Sequence, residues 1–194
     1  MKKLSLIMMI ALSACMFQAC NNAAKTDSKE SADSTNAVKD TTTTGATGIA
    51  VDAGDAKFAT DAANGGLTEV AAGKVAEQKA INPKVKDFAA MMVKDHSKAN
   101  DELMAIAKAK NITLPAAPGE DKQKELADLS AKSTSDFDKA YVDAMVDGHK
   151  KTIALFEDAS KNCKDAELKA FATNTLPTIK GHLAEIEAIK KGMK

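Results

Sequence analysis

Arginine is absent from this 194-residue chain, and all 27 of its cationic side chains are lysine. Arginine is the side chain best suited to bidentate contacts with phosphate and guanine, so nucleic acid is not an expected partner. Tryptophan is also absent, and a single tyrosine and six phenylalanines leave little aromatic surface for stacking bases or sugars. No Cys-x-x-Cys-His stands ready for covalent haem, no glycine-rich loop for phosphate, and no serine or cysteine nucleophile signature is present. No apolar run reaches the roughly 20 residues that span a bilayer. Nor is there an excess of either charge, with 27 Asp+Glu against 27 Lys.

What is present begins with a targeting segment. "MKK" is a basic n-region and "LSLIMMIALSA" an apolar h-region, too short for a transmembrane helix. Two cysteines follow, in "LSAC" ending at Cys15 and "FQAC" ending at Cys20. Both resemble the lipobox of bacterial lipoproteins. "LSAC" matches better before the cysteine, but Cys15 is followed by apolar "MFQA" and Cys20 by polar "NNAAKTDSKE". A lipidated N-terminus emerges into water, which favours Cys20 as the anchor, with Cys15 as the alternative and ordinary signal-peptide cleavage nearby as a third reading. Residues 1–19 are then a lipoprotein signal peptide, and the mature chain carries 25 cations against 27 anions. The expected location is the cell envelope, on the outer membrane or a periplasmic face, with the membrane reached through the lipid. With Cys20 acylated, Cys163 has no intrachain partner, and "KNCKDAE" places it in a turn as an exposed thiol.

Residues 20–53 are small and polar without apolar periodicity, the composition of a flexible tether. From residue 54 to 194 the pattern becomes helical. Long helices are predicted over about 55–80, 83–110, 135–161 and 165–192. "INP" breaks the chain and Pro83 opens the second, "STSD" caps the third, and Pro177 should kink the last. A shorter helix over about 120–131 follows the loop "NITLPAAPGE". The fold class is all-α, a four-helix bundle with a short extra helix between the second and third long helices. The stretch from 111 to 134 is long enough either to stay at one end or to cross the bundle.

The three histidines, His96, His149 and His182, fall on the core stripes of three different long helices, and Glu69 takes the matching place on the fourth. Each lies near mid-helix, so the four should meet in one buried layer. An unpaired buried polar group costs on the order of 1–3 kcal/mol, so the layer must be hydrogen-bonded or must ligate something. It reads as a structural network that fixes register, as a metal site of three imidazoles and a carboxylate suited to Cu or Zn, or as a proton-transfer site. Asp95 and Asp147 could supply a carboxylate instead of Glu69. Met92 and Met145 each stand one turn before a histidine, in "MVKDH" and "MVDGH". They offer thioethers to a soft metal, although core methionine is commonly filler.

"GGLTEVAAGKVAEQKAINPKVKDFAAMMVKDHSKANDEL", "FDKAYVDAMVDGHKKTIALFE" and "LKAFATNTLPTIKGHL" resemble the domain-of-unknown-function family numbered 4142 over about residues 55–191. The resemblance implies a ferritin-like helical bundle in a secreted or lipid-anchored bacterial protein, and the "CNN" start is similar to Bacteroidetes lipoproteins. It implies no settled activity. A di-iron centre is not expected, because such sites use Glu-x-x-His, and Val93, Val146 and Ile179 occupy the position three before each histidine. No catalytic residue is assigned. The function read from the sequence is a non-catalytic binding or structural module at the envelope, with metal binding as the alternative; a protein partner or ligand is not specified.

Overall fold

A computed structural model describes residues 27–41 and 51–193. Six helices are described: α1 (Ser28–Thr41), α2 (Ala53–Lys79), α3 (Pro83–Ala109), α4 (Glu120–Ser130), α5 (Thr134–Asn162) and α6 (Ala166–Gly192). No strand occurs among the described residues. The segment 1–19 and both Cys15 and Cys20 lie outside them. No described helix is long and apolar enough to cross a membrane.

Each long helix starts at a side chain suited to satisfying its free N–H groups. Asp52 accepts from Gly54 N, Asn82 from Lys84 N, Ser133 from Asp136 N, and Asp165 from Glu167 N and Leu168 N. Just past the end of α3, Asn111 has a φ of 56°, the left-handed conformation that asparagine tolerates. α6 runs through Pro177 without interruption; the proline lies on the exposed face, where the missing hydrogen bond faces water.

The long helices form a ring in which α2 touches α3 and α5, and α6 touches α5 and α3. Two buried carboxylates reveal the directions. Asp55, in the first turn of α2, accepts from Lys164 N at 3.0 Å and Asp165 N at 2.6 Å in the α5–α6 turn. Asp138, early in α5, accepts from Asn82 N at 2.7 Å and Ile81 N at 3.2 Å in the α2–α3 turn. At the Asp55 end, Lys110 beyond α3 also pairs with Asp165 at 2.7 Å. The start of α2 and the end of α3 therefore share one end with the end of α5 and the start of α6. α3 finishes at that end while α5 begins at the other, so residues 110–133, with α4, cross the length of the bundle.

The core divides at mid-height. Toward the Asp55 end, Phe58, Leu103, Phe156, Leu168, Phe171 and Ile179 pack together. Toward the Asp138 end, Val85, Phe88, Met92, Phe137, Tyr141 and Ile186 do so. The apolar stripes of the sequence supply both clusters. Between them lie the residue numbers of the predicted polar layer.

Two local expectations change. The stretch 20–53, read as a tether, contains α1, which docks on α2 and on the loop after α3. It is held mainly by polar groups. Asn36 donates to Thr113 O at 2.9 Å and accepts from Thr113 N at 2.8 Å, Ser28 Oγ accepts from Ala116 N, and Asp33 accepts from Thr60 Oγ1 at 2.6 Å. Asp27 accepts from Glu120 N at the start of α4. Cys163, expected as an exposed thiol, is 6% exposed, at the C-terminal end of α5. Burial and neighbouring Asp55 push its thiol up to about 12.

Candidate metal centre

Glu69, His96, His149 and His182 come from α2, α3, α5 and α6, and all four are buried, at 5%, 6%, 0% and 3% exposure. The imidazole centroids stand 5.8 Å apart for His96 and His149, 5.2 Å for His96 and His182, and 5.6 Å for His149 and His182. Phe88 closes the layer on one side, 6.3 Å from the His149 ring and 6.4 Å from the His182 ring. Close approach of α2 and α3 helps bring Glu69 to His96. Gly73, one turn beyond Glu69, has no room for a side chain: a Cβ there would lie 2.8 Å from Val93 Cγ2 and 3.1 Å from Ala89 O.

Each ring has one nitrogen held and one free. His149 Nδ1 donates to the Met145 carbonyl oxygen at 2.8 Å, one turn back on its own helix. His182 Nε2 lies 3.1 Å from Asp95 Oδ2 across the α3–α6 interface. His96 Nδ1 is 3.0 Å from Glu69 Oε2, at ion-pair distance though poorly aligned for a hydrogen bond, and His149 Nδ1 is 3.7 Å from the other Glu69 oxygen. The remaining nitrogens, His96 Nε2, His149 Nε2 and His182 Nδ1, are buried without a partner. A carboxylate or carbonyl on one nitrogen fixes the ring's orientation and leaves the other nitrogen available, the usual support of a metal-binding histidine.

Burial opposes ionisation of Glu69, but the surrounding imidazoles, His96 foremost, outweigh it and hold the carboxyl below its ordinary range. Burial likewise opposes charge on His96, yet Glu69 beside it raises its pKa. Burial lowers His149, and it lowers His182 despite the contact with Asp95. The layer thus holds a Glu69–His96 pair and two imidazoles biased toward the neutral, ligating form.

A transition metal fits this donor set. One nitrogen from each histidine can be chosen so that all three lie within 4.8 Å of one another. Zn–N bonds of about 2.0–2.1 Å in a tetrahedral site put the nitrogens about 3.4 Å apart, so modest ring closure would complete the site. Three buried histidines could therefore form a metal site.

The sequence-predicted residues divide. Glu69 and the three histidines are brought together. Asp95 joins them through His182. Asp147 does not: it is exposed and faces away from the layer. Met92 and Met145 are buried in the cluster beside the layer, and Met145 contributes its carbonyl oxygen. That carbonyl went unpredicted, although a histidine at i reaching the carbonyl at i−4 is a contact helical spacing permits. So did a cavity of about 30 Å³ bordered by Glu69, Asp95, His96 and His182.

Among solved structures, the chain is similar to the crystal structure of a DUF305 fragment from Deinococcus radiodurans, at 12% identity and a TM-score of 0.63, over 72% of this chain and 96% of that one. At that identity the likeness concerns the fold alone. No curated protein matches the sequence. The family model for a domain of unknown function, DUF4142, matches residues 23–189, a span that takes in α1 and all four histidine-layer positions, and the chain belongs to that family.

Proposed function

We propose that this protein binds a single transition-metal ion, zinc or copper, through His96, His149 and His182, as a non-catalytic binding module. The observation that carries this reading is the division of labour within each ring. One nitrogen is held by Glu69, Met145 O or Asp95, and the other is buried with no partner. A purely structural network would leave three buried polar atoms unsatisfied, at a cost of about 1–3 kcal/mol each. Nitrogens chosen one from each ring lie within 4.8 Å of one another, close enough for a single metal ion to draw them together. Glu69 and Asp95 then orient the rings and balance the charge.

The scaffold for this site is, in our reading, a ferritin-like four-helix bundle without a di-iron centre. We further propose that it is held at the cell envelope as a bacterial lipoprotein, anchored by Cys20 after removal of residues 1–19. The polar sequence after Cys20 supports the anchor, and Cys20→Ser should release the protein from the membrane fraction while Cys15→Ser should not. Release by the Cys15 change alone would move the anchor.

The metal reading is tested by titrating Zn²⁺ and Cu²⁺ into metal-free protein purified without a histidine tag. One equivalent should bind, and Asp95→Asn should weaken binding by roughly 10–100-fold by loosening the His182 ring. Absence of stoichiometric binding by either ion would overturn it.

A further inference from the structure

The cavity beside the histidine layer lies between α2, α3, α5 and α6 and has a volume of about 30 Å³. A site of this kind holds a water once it offers roughly 10–15 Å³ and polar partners. Its inner wall is made by Glu69, His96 and His182, and further polar walls by Asn100, Thr152 and Thr175. Its lining also includes residues that reach the surface: Thr178 is exposed and the Asp95 side chain is 31% exposed. The cavity thus runs from the seam between α3 and α6 to two of the three histidines. A second, larger cleft of about 230 Å³ lies between α2, α4 and α5, but the only layer residue on its wall is Glu69.

Three protein nitrogens leave one position open on a tetrahedral ion, and centres that exchange ligands are built in that way, whereas closed structural sites take a fourth ligand from the protein. Resting on the metal reading above, we propose that this cavity holds the fourth ligand of the bound ion, a water molecule exchangeable with a small anion that enters between α3 and α6. Size restricts the class to ligands of one to three heavy atoms. The Asn100 amide and the threonine hydroxyls supply donors for a bound anion. Glu69 and Asp95 also border the cavity, each facing an imidazole. Exchange replaces one ligand with another and needs no oxidant, reductant or proton donor.

Cobalt(II) makes this visible, because its absorption bands report coordination. Purified protein loaded with one equivalent of Co²⁺ should change its visible spectrum saturably on addition of azide. Ala99→Leu, which fills the cavity, should keep one equivalent of Co²⁺ and lose azide affinity by about tenfold or more, the usual scale for a steric change in a small site. Thr175→Ile serves the same purpose if the first variant fails to fold. Ala144→Leu, on the wall of the larger cleft, should leave azide affinity unchanged. A Co²⁺-loaded protein whose spectrum ignores azide, or whose response survives both cavity-filling variants, would overturn the proposal while leaving the metal site standing. Failure to bind Co²⁺, Zn²⁺ or Cu²⁺ at all would remove the metal reading itself.

Discussion

Among the described residues three carboxylates are buried to the same degree, and they are treated differently. Asp55 and Asp138, at opposite ends of the bundle, are 4% and 5% exposed, and each accepts backbone N–H groups from the turn of the opposite hairpin. Glu69, at mid-height, is 5% exposed, yet neither of its oxygens has a well-aligned hydrogen bond, and the rings it faces keep unpaired nitrogens. The two end carboxylates, buried for architecture, are satisfied from the backbone. The incomplete layer at the centre follows a different rule, one suited to a guest. The end carboxylates should accordingly matter to folding, and the central layer to binding.

The largest expected effect is at the ends. Asp138→Ala would leave the part-buried N–H groups of Ile81 and Asn82 without their acceptor, and Asp55→Ala would do the same to Lys164 and Asp165. Each should lower the free energy of unfolding in urea by about 3 kcal/mol, with or without metal, since charged hydrogen bonds and stranded donors each cost of that order. A loss below about 1 kcal/mol would show that these turns hold without their carboxylates.

The central layer should behave in the opposite way. His149→Leu replaces a half-satisfied polar group with an apolar one of similar volume, so metal-free stability should change by less than about 1 kcal/mol. The stabilisation given by metal, about 2.7 kcal/mol at a free concentration 100 times the Kd, should disappear. Equal destabilisation in the presence and absence of metal would instead make the layer a structural network and erase the contrast with the ends.

Much of this contrast is legible in the sequence. Apolar spacing and the residues Asn82-Pro83 and Ser133 set the long helices to within a residue or two of their observed ends. Three histidines and one glutamate on four stripes at one height predicted the layer, because equal helices packed side by side align their midpoints. Other features leave no such periodic trace. α1 is fastened by side-chain-to-backbone hydrogen bonds from Ser28 and Asn36 rather than by an apolar stripe, so its polar composition resembles a tether. The direction of α5 depends on where Asp55 and Asp138 find their partners, 109 and 57 residues away in the sequence. Asp95 and Asp147 stand close to histidines along the chain, and only the rotation of each helix determines that Asp95 faces His182 while Asp147 faces water. Burial of Cys163 is equally invisible in "KNCKDAE", because it results from Asp55 gathering the α5–α6 turn against the start of α2.

That cysteine gives the smallest and most local test of the comparison, since it reports whether the Asp55 end is as closed as its hydrogen bonds suggest. Its folded pKa, pushed up to about 12 by burial and by Asp55, lies above the value of about 8.5 for a free thiol. For an acid raised on folding, the stabilising contribution is fully present below the unfolded pKa and is lost as pH rises through the folded one. Near pH 8 the native thiol should therefore be almost wholly protonated, against roughly a quarter thiolate in the unfolded chain. In a Cys15→Ser, Cys20→Ser background, a disulfide reagent that absorbs on reaction should modify Cys163 slowly at pH 8 and rapidly in urea. Asp55→Ala should accelerate the native reaction, by freeing the turn and removing the negative charge beside the sulfur. His149→Leu, half a bundle away, should not. Equal labelling rates in native and unfolded protein would mean that the Asp55 end opens as readily as solvent exchanges, and that its satisfied carboxylate does not close it.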